Sequence, residues 1–227
     1  MMGWLKEVAR YFLYLYRNLS GLWKKLENDF SRCAPDEKVV VLVQGYTLSY
    51  YAMGGVMKKR LESAGYRVFV FEPGSTLNIP IEDIAKHLGG LVTKVCRECN
   101  LNDVYLIGHS LGGVVARYYM QNLGGDKHVK KLIALGAAWF GTRIAILACY
   151  TKPARQMLPH SSFLKGLNSN TGLVERIVSI YTRHDQFVVP WSSAVLPGAR
   201  NIEMNLTGHT ILLESEETLA IIKRELS

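Results

Sequence analysis

Residues 103–123, DVYLIGHSLGGVVARYYMQNL, join a strand pattern to a helix pattern around a single serine. The first half is a short apolar run typical of a buried β-strand, and the second half has apolar residues at helical spacing. Between the two halves, Ser110 stands in a G-x-S-x-G sequence, which can place a serine on a tight strand-to-helix turn with its hydroxyl exposed. The five-residue pattern arises by chance in roughly one chain in ten of this size. The rest of the chain must therefore supply the partners of Ser110.

Apolar runs and helical patterns alternate along most of the chain. The runs predict strands at 39–45, 67–73, 103–108, 130–136, 175–183 and 200–206, and the helical patterns lie at 57–65, 81–99, 111–123 and about 210–226. Continuous Val, Ile and Leu runs separated by helices are typical of a parallel sheet covered on both faces. The predicted fold class is therefore α/β, with a mostly parallel sheet of about six strands flanked by helices. Ligands bind such sheets beyond the carboxyl ends of the strands, which is where Ser110 is expected.

Composition and charge limit the class of protein. The chain has 227 residues, 48% of them hydrophobic, which is enough for one sizeable core and argues against disorder. The net charge of +8 would suit nucleic acid, an anionic membrane or an acidic partner. The basic residues are scattered, however, and no nucleic-acid motif accompanies them. We expect no nucleic-acid partner.

Residues 1–35 are predicted to form an amphipathic helical extension, followed by the main domain at 36–227. Aromatic and aliphatic residues recur at three- and four-residue spacing over 1–31, and a turn is predicted at 34–36. The segment is a poor signal peptide and is too charged to span a bilayer. Three roles stay open for residues 1–31: packing on the domain, contact with a membrane surface, or self-association. The compartment is undecided between the cytoplasm and a membrane surface, with secretion as a further alternative.

The four cysteines, Cys33, Cys96, Cys99 and Cys149, do not predict a metal or redox site. The C-x-x-C pair at 96–99 falls near the end of a predicted helix, whereas a redox pair is favoured at a helix start. A zinc site would need a second such pair. The cysteines are interpreted as structural thiols, with one disulfide left open.

A serine nucleophile needs a base, and in this architecture the base should follow the serine and an acid along the chain. Four histidines follow Ser110. His128 precedes a strand, His160 lies in a long connection, and His184 stands directly beside an aspartate. His209 follows the last predicted strand, at the carboxyl edge of the sheet, and is the predicted base.

The acid should lie between Ser110 and His209. Asp126 and Glu175 precede strands, which places them at the opposite edge, and Glu203 lies inside a strand pattern. Asp185 follows the fifth predicted strand and is the predicted acid. Its position completes the chain order Ser, Asp, His.

An acyl-transfer site also needs donors for an oxyanion. The N–H of Leu111, directly after the serine and at a helix start, is one predicted donor. The N–H of Tyr46, in the loop after the first strand, is the other.

These residues resemble the α/β-hydrolases, and among them the small bacterial triacylglycerol lipases and esterases that lack a large lid domain. The resemblance covers roughly residues 37–225 and rests on three stretches: GHSLGG at 108–113, ARQMLPHSSFLKGLN at 154–168, and the long stretch at 179–213. It implies the roles already assigned to Ser110, Asp185 and His209, and to the backbone donors Tyr46 and Leu111. It also implies a compact hydrolase fold.

Two loops depart from the family pattern. Gln44-Gly45 stands where the family usually has His-Gly, and GAAWFGT at 136–142 replaces a Gly-Thr-Pro-His-like stretch. Gln44, His109, Trp139 and Phe140 are accordingly the predicted substrate-binding residues. Ile144 to Leu147 are weaker candidates for an acyl-binding surface, because such residues are more often core.

The resemblance implies hydrolysis of carboxylic esters, of acylglycerol type or simpler, through an acyl-enzyme. No metal or organic cofactor is expected. A thioesterase or an acyltransferase would use the same residues, and both stay open as alternatives. A non-catalytic membrane-associated protein of the same fold is a third.

Overall fold

The computed structural model describes residues 28–30, 33, 37–46, 50–72 and 78–227. Residues 1–27 and 31 of the helical segment predicted over 1–31 lie outside the described residues. The turn predicted at 34–36 also lies outside them.

A single parallel sheet forms the centre of the structure. It has six strands in the order β2-β1-β3-β4-β5-β6. Their bounds are β1 (Val39–Val43), β2 (Arg67–Phe71), β3 (Val104–His109), β4 (Val129–Leu135), β5 (Ile177–Tyr181) and β6 (Arg200–Glu203). The predicted parallel sheet is confirmed. The strand order reverses between β1 and β3, and the carboxyl ends beside such a switch point form a natural crevice for a ligand.

Helices lie between most successive strands and after the last strand. They are α1 (Lys58–Ser63), which continues a π-helix at Tyr50–Met57, then α2 (Ile81–Glu98), α3 (Leu111–Asn122), α4 (Lys152–Gln156), α5 (Ser162–Ser169), α6 (Ile211–Glu214) and α7 (Glu216–Leu226). Short 3₁₀ turns lie at Gly125–Lys127, Arg143–Ala148, Val174–Arg176 and Trp191–Ala194. No helix within the described ranges is long and apolar enough to cross a membrane.

The last helical segment differs from the prediction. One helix was expected over 210–226, but Ser215 interrupts it with extended backbone angles. Its side chain accepts a hydrogen bond from the Thr218 N–H and so caps α7. A single continuous helix is therefore wrong here, because a serine favours a helix start over a helix interior.

Two apolar layers cover the sheet. Val41 and Val43 of β1 face α2 and α3, whereas Val40 and Leu42 face α1, α6 and α7. This alternation follows from the two-residue period of a strand. Because both faces are covered, β1 and β3 are apolar along nearly their whole length, as the sequence predicted.

The described residues before β1 are attached to the edge of the sheet. Asn28 exchanges two side-chain hydrogen bonds with the backbone of Val70, each 2.9 Å long. The ring of Phe30 packs 5.0 Å from that of Phe69. Cys33 forms a disulfide with Cys99. These two cysteines are therefore the pair for which the sequence left a disulfide open, and for them the interpretation as structural thiols is wrong. The separation of 66 residues explains why spacing did not reveal the pair.

Candidate active site

Ser110 stands on a sharp turn between β3 and α3. Its backbone has φ 54° and ψ −123°, a left-handed conformation that costs a non-glycine residue about 1–3 kcal/mol. The Ser110 N–H donates to the carbonyl of Leu135 at the end of β4, and the Ser110 carbonyl accepts from the Gly113 N–H. These contacts hold the turn in its strained form, at the carboxyl edge of the sheet.

The glycines around Ser110 allow three backbone segments to meet. A Cβ on Gly108 would stand 2.6 Å from the Gly113 Cα, and one on Gly112 would stand 2.2 Å from the Val43 carbonyl oxygen. Both distances are too short for any side chain. Gly113, by contrast, packs against Ala134 and Ala137. The tight turn thus depends on Gly108 and Gly112, and Gly113 allows the helix to approach β4 closely.

Asp185 and His209 form a buried pair. Nδ1 of His209 lies 2.6 Å from Oδ2 of Asp185, and both side chains are almost completely buried. Because Nδ1–H is bonded to the carboxylate, Nε2 is the ring nitrogen left to accept a proton. The pair lies beyond the ends of β5 and β6, where the sequence predicted both residues.

Backbone groups fix the Asp185 carboxylate. Oδ1 accepts hydrogen bonds from the N–H groups of Phe187 and Val188, at 2.8 and 3.0 Å. Burial alone would raise the pKa of this carboxyl. The interaction with His209 and the two backbone bonds outweigh burial, and the net pKa lies below its ordinary value. Asp185 is thus held as an anion facing the imidazole.

Gly136 connects the serine turn with the acid–histidine pair. It directly follows Leu135, the residue that accepts the Ser110 N–H. A Cβ on Gly136 would stand 3.0 Å from Nδ1 of His209 and 3.3 Å from Oδ2 of Asp185. The end of β4 therefore lies between Ser110 and the pair, and a larger residue there would displace the imidazole.

The loop after β1 lies directly against the serine. A Cβ on Gly45 would stand 3.2 Å from the Ser110 Cβ. The Tyr46 hydroxyl is hydrogen-bonded to the Thr151 hydroxyl at 2.7 Å. The Nε2 atom of Gln44 is buried and has no hydrogen-bond partner among the described residues. Leu111 is the first residue of α3, so its N–H has no acceptor within the helix. Leu111 and the loop after β1 together border the space above Ser110.

His109 is buried under the site. Its ring centroid lies 4.5 Å from that of His209, and neither ring nitrogen has a hydrogen-bond partner in the described part of the chain. Burial, followed by the nearby His209, lowers the pKa of His109 to about 3. This imidazole is neutral at ordinary pH and contacts the predicted base.

The two aromatic residues after β4 have different surroundings. Trp139 is completely buried, and its indole N–H donates to the Ser179 hydroxyl at 2.9 Å. A substrate-binding role for Trp139 has no support in that position. Phe140 is 42% exposed and lines a cleft. The sequence pattern did not separate them, because adjacent aromatic residues in a loop carry no periodicity.

Two further residues hold His209 and were missed by the sequence analysis. The Gln186 side-chain oxygen accepts from the His209 N–H at 3.1 Å, and the Phe187 ring lies 5.4 Å from the imidazole. Gln186 and Phe187 directly follow Asp185 in the sequence, and this adjacency is the signal that could have identified them. No three His, Cys, Asp or Glu side chains in the described ranges are grouped to hold a metal ion.

A family model for the alpha/beta hydrolase fold matches residues 38–157. The match spans more than half of the chain and includes Ser110. This chain belongs to the α/β-hydrolase fold family.

Solved structures of lipases and esterases share this fold. The mature Bacillus licheniformis lipase BlEst2 is 16% identical, with a TM-score of 0.70 over 87% of this chain and 95% of that one. Aspergillus fumigatus lipase B is 20% identical, with a TM-score of 0.69 over 78% of this chain. This chain spans only 49% of the length of that fungal lipase. A carboxylesterase structure from Nitrososphaera gargenis is 14% identical, with a TM-score of 0.62 over 88% of this chain and 92% of that one.

Proposed function

We propose that this hydrolase-fold protein is a serine esterase that cleaves carboxylic esters through an acyl-enzyme. The observation that carries the proposal is the buried hydrogen bond between Asp185 and His209, set across Gly136 from the strained turn of Ser110. A serine, an acid and a histidine in this chain order, following β3, β5 and β6, are the elements of nucleophilic acyl transfer. The lipase and esterase structures of the same fold agree with this chemistry.

In the proposed reaction, the Ser110 hydroxyl attacks the ester carbonyl as Nε2 of His209 takes its proton. Asp185 keeps the imidazole in the required tautomer and stabilises the imidazolium. The tetrahedral oxyanion accepts hydrogen bonds from the N–H groups of Leu111 and Tyr46. His209 returns the proton to the departing alcohol. Water then adds to the acyl-enzyme with His209 again as base, releasing the carboxylic acid and the Ser110 hydroxyl.

The exposed apolar residues after β4 support an ester with an apolar acyl group. Phe140, Ile146 and Leu147 are all large hydrophobic residues with much of their surface exposed. Exposed apolar side chains grouped in one segment are typical of binding surfaces. The substrate class we infer is therefore lipid or other apolar esters.

A fluorophosphonate probe tests the nucleophile directly, because it phosphonylates only an activated serine. We expect the wild type to be labelled and Ser110→Ala to be unlabelled. Ser162→Ala, at an exposed serine on α5, is the matched control and should label like the wild type. Labelling of Ser110→Ala equal to that of the wild type would show that another residue reacts.

A pair of substrates tests the reaction class. Hydrolysis of an oxygen ester and of the thioester with the same acyl group is compared at matched concentrations. We expect the oxygen ester to be hydrolysed with the higher kcat/KM. Efficient cleavage of the thioester alone would replace the esterase assignment with a thioesterase.

A further inference from the structure

A cleft of about 280 Å³ opens between the loop after β4 and the loop that follows Asp185. Its volume is just below the roughly 300–1,000 Å³ found for small-ligand pockets. The side chains that can donate hydrogen bonds into it are Arg143, His160 and Ser192, and Phe140 and Pro190 contribute apolar surface. We call this feature the Arg143 cleft. None of its lining residues belongs to the Ser110, Asp185 and His209 set.

Hydrogen bonds between the two loops fix the walls of the Arg143 cleft. The Arg143 N–H donates to the Val189 carbonyl at 2.8 Å, and the Thr142 hydroxyl donates to the Phe187 carbonyl at 2.7 Å. The buried Ser193 hydroxyl accepts from the Phe140 N–H at 3.1 Å. The backbones that carry Arg143 and Ser192 are therefore tied together, and the cleft is preformed.

The cleft is built from segments without carboxylates. No Asp or Glu occurs in residues 127–174 or in residues 186–202, whereas the first of these segments contains seven Lys and Arg residues. Arg143 makes no ion pair within the described ranges. Other arginines there do contact carboxylates: Arg60, Arg67, Arg97, Arg183 and Arg200. The positive charge of Arg143 is therefore not neutralised by a carboxylate from these segments.

Exposed apolar side chains follow directly along the chain. Arg143 begins a 3₁₀ turn, Arg143–Ala148, that carries Ile146 and Leu147, and Tyr150 comes just after it. These three side chains are 58%, 76% and 74% exposed. Large apolar residues next to an arginine and a lysine, here Lys152, are the composition of a surface that enters the interface of a membrane.

We propose that the Arg143 cleft binds the phosphate group of an anionic membrane lipid while Ile146, Leu147 and Tyr150 contact the acyl-chain boundary. A guanidinium matches two phosphate oxygens with paired N–H donors. A ring N–H of His160 and the Ser192 hydroxyl add further donors. A free phosphate would satisfy the same polar groups but would leave the three apolar side chains in water. The membrane lipid is the occupant that accounts for both parts of the surface.

The test measures vesicle binding of the full chain. Co-sedimentation uses Ser110→Ala protein, so that lipid hydrolysis does not alter the vesicles and the result does not depend on the esterase proposal. Vesicles of phosphatidylcholine are compared with vesicles that also contain phosphatidylglycerol. We expect binding to rise with phosphatidylglycerol, and Arg143→Gln combined with His160→Gln to lower that binding about tenfold.

A matched control separates the cleft from overall charge. Lys59→Gln combined with Arg97→Gln removes two exposed cations elsewhere and should leave phosphatidylglycerol binding within about twofold of the parent. Leu147→Ser should weaken binding to both kinds of vesicle. An equal loss in the Lys59 and Arg97 control would show that net charge governs binding and would overturn the proposal.

Calorimetry with inorganic phosphate distinguishes the source of the anion. Weak phosphate binding that disappears in the Arg143→Gln and His160→Gln protein, together with strong vesicle binding, supports the lipid. Strong binding of inorganic phosphate without preference for phosphatidylglycerol vesicles assigns the cleft to a soluble phosphate and overturns the membrane assignment. No response to either ligand overturns the site altogether.

Discussion

The imidazole rings of His109 and His209 lie against each other, with their centroids 4.5 Å apart and their planes inclined at 45°. Only His209 contacts a carboxylate through a hydrogen bond of its ring. His109 is buried without hydrogen-bond partners in the described part of the chain, and burial holds its pKa at about 3. A histidine that stays neutral therefore packs against the histidine that we propose moves protons.

This difference predicts how stability depends on pH. His109 takes up a proton near its ordinary pKa of 6.5 when unfolded, but near 3 when folded. The unfolded state then binds more protons below pH 6.5, so stability falls as the pH falls from 6.5 toward 3. At pH 5 the loss from this group is about 2 kcal/mol. Asp185 contributes little at pH 5, because its unfolded pKa of 3.8 lies more than one pH unit lower. Its stabilising contribution is lost only as the pH falls further, toward and below 3.8.

Urea unfolding of wild type and His109→Gln at pH 7 and pH 5 checks this prediction. Glutamine keeps a polar amide but does not titrate, so the variant should lose less stability on acidification than the wild type. His87→Gln, at an exposed histidine on α2, should behave like the wild type. Identical pH dependence in the His109→Gln protein would contradict a buried neutral imidazole.

Asp185→Asn should remove activity without unfolding the protein. The asparagine oxygen can still accept from the N–H groups of Phe187 and Val188, which preserves the loop. Its NH₂ group would face His209 Nδ1 and favour the wrong tautomer. In a serine protease the equivalent change lowers kcat about 10⁴-fold, and we expect a loss of that order. Ester hydrolysis and the urea midpoint are measured together.

The control for that variant is Asp103→Asn, at an exposed aspartate next to the opposite edge of the sheet. It should keep wild-type kcat. A fully active Asp185→Asn protein would remove Asp185 from the proposed mechanism.

Gly112→Ala and Gly90→Ala should change stability in opposite directions. An alanine Cβ at Gly112 would stand 2.2 Å from the Val43 carbonyl and 2.5 Å from the Gln44 carbonyl, both backbone atoms that cannot move independently. We expect a loss of at least about 3 kcal/mol or failure to fold. At Gly90, on the exposed side of α2, nothing lies within 4 Å of the new Cβ. Alanine there should add about 1 kcal/mol, because glycine disfavours a helix. Thermal unfolding of both variants tests the pair.

Tyr46→Phe should slow catalysis more than it weakens substrate binding. The variant loses the hydrogen bond between the Tyr46 and Thr151 hydroxyls, which ties the loop after β1 to the segment that precedes α4. If the Tyr46 N–H stabilises the oxyanion, a looser loop lowers kcat about tenfold, with KM changed much less. Tyr118→Phe on α3, whose ring stacks on Phe163, is the control and should keep kcat. A change confined to KM would assign Tyr46 to substrate binding instead.

Much of the sheet could be predicted from local pattern. Val39–Val43 and Val104–His109 are uniformly apolar because both faces of these strands are covered. The order of Ser110, Asp185 and His209 relative to the strands followed from the same pattern. The break at Ser215 was missed, since a capping serine within an otherwise helical pattern is a weak local signal.

The alternation of strands and helices could be predicted from local sequence, and so could the position of each candidate residue at a strand end, because both depend on short-range periodicity. Which distant groups meet depends on how the segments pack in three dimensions. Examples are the contact of Asp185 with His209, the packing of the His109 ring against that histidine, the disulfide between Cys33 and Cys99, and the burial of Trp139. These contacts arise from the packing of segments far apart along the chain, and no local pattern encodes the distance between two strand ends.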